Sequence, residues 1–373
     1  MSRELLMKQV RTVDSKGRFD ILVVDGKIKE IAPEIQGNGT EELLLLDETS
    51  YLSAGWIDGH VHCFEKLDLY YDYPDEVGVK QGVTTIVDAG STGADTISGF
   101  YPLAQEAKTN VYALLNISQE GIITQDELSD LEKIQLGKIL SIRENYPNFI
   151  LGIKARMSKS VVGENGITPL KMAKKIQQEL GNVPLMVHIG SAPPTLEEIV
   201  DVVEKGDILT HCFNGKANGI YDFNQKKLKD FAVHCKEEGV IFDIGHGTDS
   251  FNFEVAEEAL HEGIKADSIS TDIYIRNRKN GPVYNLATTM EKLHVVGYSW
   301  SEILEKVTKA PAKQLGLTTK GKLEVGYDAD FTIFQIHDTM KVLIDSNGNE
   351  RTTDEVLEPQ KAIIGGVIYD INE

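Results

Sequence analysis

The chain has 373 residues, 41% of them hydrophobic, with 38 Lys and Arg against 58 Asp and Glu for a net charge of −20. That length and apolar share support a large α/β barrel with a small companion domain, while the acidic balance argues against binding nucleic-acid phosphates or docking on an anionic membrane. The apolar runs fall far short of the ~20 residues of a transmembrane helix. The start, Met1–Leu6, has no signal-peptide core, and Cys63, Cys212 and Cys235 are too few for a disulfide framework, so a cytoplasmic location is expected.

The first stretch reads as β structure. Ile21–Val24 and Lys27–Ile31 flank Asp25-Gly26, a strong two-residue hairpin signal, and Glu42–Leu46 is a further strand candidate. The last stretch has the same texture. Ala329–Phe334 and Lys341–Ile344 are strand-like, Ser346–Asn349 is a turn, and Ala362–Ile364 and Val367–Tyr369 flank Gly365-Gly366. Both ends are read as one small β-sandwich domain, residues 1–52 and 319–373, interrupted by residues 53–318.

That middle alternates apolar strands with helical segments, the pattern of parallel βα units. After Gly55–His62 come Thr84–Asp88, Val111–Ile117, Ile150–Lys154, Leu185–Ile189, Ile208–Cys212, Val240–Ile244 and Ser268–Ile273, eight strands in all. Helix starts lie between them. Thr168-Pro169 reads as an N-cap followed by Pro at the first helical position, and Thr195 with Glu198 and Ser299 with Glu302 read as capping boxes. The expected fold class is α/β, a (β/α)₈ TIM-type barrel, whose chemistry sits at the strand C-terminal ends.

Five strands end there in a metal-capable residue. The first carries His60 and His62, which share a face by strand alternation. The fourth carries Lys154, the fifth His188, the sixth His211 and the eighth Asp272. Each alone could be a structural strand-end residue. Together, four histidines and an aspartate could hold two divalent metals if a negative group bridged them. Lys154 carbamylated by carbon dioxide would supply that carboxylate, and it must first lose its proton, which burial favours. The alternative is an ordinary lysine paired with Asp272.

The order His-X-His, Lys, His, His, Asp over strands one, four, five, six and eight resembles the amidohydrolase superfamily, in its binuclear-zinc dihydroorotase-like branch. The likeness covers nearly the whole chain, including the β domain and the approach Gly326-Tyr327-Asp328-Ala329-Asp330. It implies that His60, His62 and Asp272 hold the more buried zinc and that His188 and His211 hold the more exposed one. Carbamylated Lys154 and a hydroxide would bridge the two. It further implies hydrolysis of an amide or ester, with Asp272 as the catalytic acid and base.

Dihydroorotases carry an arginine two residues after the second histidine, where this chain has Phe64, and phosphate-sugar deacetylases typically lack the strand-four lysine. The chain looks closer to dihydroorotase-like proteins labelled amidohydrolase/deacetylase. Arg156 shares a face with Lys154 and could bind a substrate carboxylate bidentately, which points to an N-acyl amino acid or O-acyl hydroxy acid. The alternative is a rim arginine paired with an acidic neighbour. Further substrate-binding candidates are Asn116 at the end of strand three, His246 after strand seven, and Gly281 in the eighth strand–helix loop. The loop Ser158–Ile167 could close over substrate, whereas Cys63 and Cys212 read as packing residues turned away from the metals. Within the enzyme class the alternative is a cyclic-amide hydrolase acting on hydantoin- or dihydroorotate-like rings. Outside it, the alternative is a non-catalytic scaffold. The expected partner is a small-molecule substrate, with no nucleic acid or membrane, and a homo-oligomer is common for such barrels.

Overall fold

The computed structural model describes residues 3–371. Met1, Ser2, Asn372 and Glu373, the outermost residues of the expected β domain, lie outside the described residues. Seven strands form one parallel sheet in chain order: Trp56–Val61, Val83–Ala89, Asn110–Asn116, Ile150–Met157, Leu185–Ile189, Ile208–Thr210 and Ile241–Asp243. The expected eighth strand is not a ladder strand. Ser268–Ile273 is extended and closes the barrel through single parallel bridges, Asp243 to Ser268 and Val61 to Ile273.

The reason lies in Asp272, whose φ of 50° turns the chain out of strand geometry. Side-chain bonds substitute for the ladder: Asp58 accepts from Thr271 N at 3.1 Å and Thr271 Oγ1 at 2.5 Å. Backbone bonds still tie this segment to both neighbours, from Asp272 N to His60 O at 2.7 Å and from Gly247 N to Thr271 O at 2.8 Å. The fold is therefore a TIM-type barrel, closed on one side by fewer main-chain bonds than expected.

Two further four-stranded sheets make the small sandwich. The first uses Glu4–Val10, Phe19–Val24, Lys27–Ala32 and Glu42–Leu45; the second uses Tyr51–Ala54, Phe331–Ile344, Glu350–Ile364 and Val367–Asp370. Leu5, Met7, Ile21, Phe331 and Ile363 share the core between them. Asp25 and Gly26 have φ of 50° and 76°, the left-handed pair that matches the right-handed strand twist in a tight hairpin. Both capping boxes form, at Thr195 and at Ser299. Thr168 does not cap: Ile167 before it is already helical, so Thr168 begins the helix itself, with Pro169 in its first turn. Among the described residues no helix is long and apolar enough to cross a membrane.

Candidate metal centre

The first strand delivers His60 and His62 to one face, as alternation requires, and their Nε2 atoms lie 3.4 and 3.1 Å from Asp272 Oδ1. The ligand atoms of these three side chains fall within 4.8 Å of one another. Lys154 Nζ is 2.9 Å from His60 Nε2. His211 Nε2 is 3.9 Å from Asp272 Oδ2, and the rings of His188 and His211 meet edge-on with centroids 4.5 Å apart. The six residues named from their strand ends thus converge on one point at the barrel mouth. His211 and Asp272 get there through left-handed backbone, φ 72° and 50°, a strained state for non-glycine residues that clusters at functional sites.

The outer ring nitrogens decide what the inner ones can do. Thr210 has one hydroxyl proton and gives it to Asp243 Oδ2 at 2.8 Å. The 2.9 Å bond between Thr210 Oγ1 and His60 Nδ1 is therefore donated by the ring, which leaves His60 Nε2 an unprotonated acceptor. His211 Nδ1 faces the Gly245 carbonyl at 2.5 Å, so it too donates, and its Nε2 is a buried lone pair with no hydrogen-bond partner in the structure. His62 Nδ1 is held by Ser91 Oγ at 2.8 Å. Such outer partners fix the tautomer and orientation of metal-ligating histidines. An orphaned imidazole lone pair beside a carboxylate and two further imidazoles suits a divalent cation, so the residues present fit a metal.

The electrostatics agree. Burial drives the His60 and His188 imidazoles well below their ordinary range, and takes His211 down to about 4, so all three are neutral, as ligands must be. Burial pulls the Lys154 ammonium down to about 7, against the raising influence of Asp272. Met186 Sδ, 3.2 Å from Nζ, belongs to the apolar layer beneath. A lysine so placed exists in part as the free amine, the form that captures carbon dioxide. Burial pushes the Asp272 carboxyl up, but the hydrogen bond with His62 and the nearness of His211 and Lys154 outweigh it, and it stays below the ordinary carboxylate range.

The pocket above these groups is open to solvent, with an empty volume of about 560 Å³. Arg156 forms part of its wall, as its register two residues after Lys154 predicts. Its guanidinium is buried, lies 3.4 Å from Glu127 Oε1, and its Nη1 makes no hydrogen bond. Burial pushes the Glu127 carboxyl up to about 7, against the pull of Arg156.

Three expected substrate contacts fall elsewhere. His246 is fully buried, with its ring nitrogens bonded to Gly247 O at 2.9 Å and Lys292 Nζ at 2.8 Å, and it does not line the pocket. Asn116 is also fully buried and spends its amide on Gly90 O and Ser118 N. Gly281, φ 72°, packs against the Tyr284 ring, away from the lining. Position at a strand end predicted their height in the barrel but not the direction in which the chain then turns. The loop Ser158–Ile167 is pinned by Asn165 Nδ2, which donates to Leu128 O and Ser129 O at 2.8 Å.

The lining also includes residues the sequence reading missed: Tyr70, Lys216, Thr248, Asp249, Ser250 and Tyr274. Their one available signal was position, each lying in a loop that follows a strand carrying or flanking the metal-capable residues. Tyr70 and Tyr274 meet edge-on with centroids 5.0 Å apart. A partly buried clamp holds their loops together, with Arg278 donating to both Asp72 carboxylate oxygens at 2.7 and 2.8 Å.

A protein of Enterococcus faecalis named deacetylase is 61% identical over 370 residues, spanning 99% of this chain and all of its own. The chain belongs to the amidohydrolase superfamily, in its dihydroorotase-like branch. A Brucella anthropi deacetylase is 38% identical over 98% of this chain and 92% of its own. A family model described as a deacetylase-like composite domain matches residues 323–370. Among solved structures, one described as an adenine deaminase superposes with a TM-score of 0.97 at 61% identity, covering 99% of this chain and 100% of its own. Another, described as a dihydroorotase, does so at 0.91 and 36% identity, covering 99% of each. An Arthrobacter aurescens L-hydantoinase, at 17% identity and a TM-score of 0.65, shares the amidohydrolase fold.

Proposed function

We propose that this amidohydrolase is a metal-dependent deacylase that removes an acyl group from a small carboxylate-bearing molecule, an N-acyl amino acid or an O-acyl hydroxy acid. The observation that carries this reading is Arg156, a buried guanidinium whose Nη1 makes no hydrogen bond even with Glu127 Oε1 at 3.4 Å, on the wall beside the metal-capable cluster. A neutral substrate would leave its buried Nη1, 3.4 Å from Glu127 Oε1, without a hydrogen bond. The deacetylase names of relatives at 61% and 38% identity point the same way.

His60, His62, His188, His211, Asp272 and carbamylated Lys154 would hold two divalent ions, zinc being the natural choice for this donor set. Such ions, when bound, polarise an acyl carbonyl and make a nucleophile from water at neutral pH. The chain supplies the rest. Arg156 grips the substrate carboxylate and so fixes the scissile bond over the cluster. Asp272 is a carboxylate at neutral pH and accepts the proton of the attacking water on an oxygen. Gly247 keeps Oδ2 approachable, since a Cβ there would stand 2.6 Å from it. Asp272 then returns the proton to the departing amine nitrogen or alkoxide oxygen.

The runner-up is cyclic-amide hydrolysis, favoured by the likeness to the structure described as a dihydroorotase. Against it stands Phe64, at the position where dihydroorotases carry arginine. It is buried against Phe100 with centroids 5.3 Å apart and offers the pocket no charge. The deciding assay is one panel on zinc-loaded protein with bicarbonate: N-acetyl amino acids, O-acetyl α-hydroxy acids, hydantoin, dihydroorotate and adenine. The expected result is turnover of the acyl carboxylates alone. Arg156→Ala should then raise KM about tenfold or more with kcat little changed, the loss of a charge-assisted bidentate contact. Turnover of the rings or of adenine alone, or an unchanged KM in the variant, would overturn the reading.

A further inference from the structure

The long hairpin Phe331–Ile344 and Glu350–Ile364 belongs to the sandwich, yet its tip reaches the barrel mouth. The tip is stiffened from within. Asp345, almost fully buried, accepts from Asn347 N and Asn349 N at 2.8 Å and from Phe253 N at 3.0 Å. Ser346 N donates to Phe251 O at 3.0 Å, and Ser346 Oγ donates to Gly247 O at 3.3 Å. Asn347 Oδ1 accepts from Asn252 Nδ2 at 2.9 Å. The segment so held, Gly247–Phe253, contains Thr248, Asp249 and Ser250 of the pocket lining.

The same tip touches a second lining loop. A Cβ on Gly215 would lie 2.4 Å from Asn347 Oδ1 and 2.8 Å from Asn252 Nδ2, so the chain at 215 passes directly against the tip. The next residue is Lys216, which lines the pocket close enough for its charge to reach His188 and His211. Among the described residues Lys216 forms no ion pair, in a chain of net charge −20. An ammonium left unpaired beside a reaction pocket in so acidic a protein is available to an anion.

We propose that Lys216 is a second contact for the substrate's carboxylate end, and that Asn347, supplied by the other domain, is a positioning residue for the Lys216 loop and the Thr248–Ser250 loop together. This rests on the anionic-substrate reading above. One hydrogen-bonding side chain thus ties the placement of both loops to the docking of the sandwich on the barrel. Substrate binding, rather than the chemical step, is what it governs.

The test compares Asn347→Ala, Gly215→Ala, Lys216→Met and Lys216→Arg with the wild type. Hydrogen exchange of the protein as purified reads the tip without any ligand. Asn347→Ala should speed exchange in residues 213–219 and 246–253 together while residues 350–364 keep their protection. Succinate, titrated calorimetrically into zinc-loaded protein, reads the anion contact. Its affinity should fall about tenfold or more in Lys216→Met, a few-fold in Asn347→Ala and Gly215→Ala, and hold in Lys216→Arg. For acyl-carboxylate substrates KM should rise in the same order at constant kcat. Faster exchange confined to residues 345–349 would overturn the role of Asn347. Failure of the wild type to bind succinate, or an unchanged affinity in Lys216→Met, would overturn the role of Lys216. If the wild type deacylates no acyl carboxylate, the proposed function falls, while the exchange and succinate results still decide this inference.

Discussion

Asp272→Asn should fold normally and lose turnover by a factor of about 10³–10⁴, toward the upper end of what a positioned acid and base supplies. The fold should survive because asparagine fits the same space and tolerates the left-handed backbone at φ 50° better than most residues. Its amide can still receive the His62 hydrogen bond on its oxygen. What it cannot do is accept a proton from water and return it to the leaving group. Steady-state kinetics on the best acyl substrate should show the loss in kcat with KM little changed. Retention of more than a tenth of the wild-type kcat would remove Asp272 from the proton-transfer step.

Lys154→Met should be equally damaging, for a different reason. Methionine matches the length of the lysine stem and suits the apolar layer of Ile57, Val87 and Met186 below it. It removes a buried amine whose solvation is poor but leaves His60 Nε2 without its 2.9 Å partner, so the two effects on stability oppose each other. The melting temperature of metal-free protein should therefore change little. Metal affinity should collapse with the loss of the proposed carbamate, and activity should fall at least about a thousandfold, as expected when a metal-held nucleophile is lost. A variant that keeps wild-type metal content and rate would show Lys154 to be an ordinary buried lysine.

The site was legible where a side chain's direction follows from strand alternation alone. His60 with His62, and Lys154 with Arg156, are pairs two residues apart on strands, and both pairs face inward. The hairpin at Asp25-Gly26 and the capping boxes at Thr195 and Ser299 were equally local, because turn and cap chemistry is written in adjacent residues. Legibility ended where the chain leaves the strand. His246 sits at the height of the site but turns toward Lys292, on a helix distant in sequence. The eighth strand was overread because Asp272 abandons the extended conformation to reach the cluster, and Asp58 with Thr271 makes up the missing bonds. Lys216 and Thr248 were invisible for the same reason, since their places depend on a hairpin tip more than 90 residues away.

The measurement that tests the central claim most directly is metal content by elemental analysis, taken alongside the deacylation rate, on protein loaded with zinc in bicarbonate and again after chelation. The account predicts a pair of ions per chain in the loaded protein, with activity that disappears on chelation and returns on reloading. Full activity in protein stripped of metal would contradict it, as would a loaded protein that binds no ion at all.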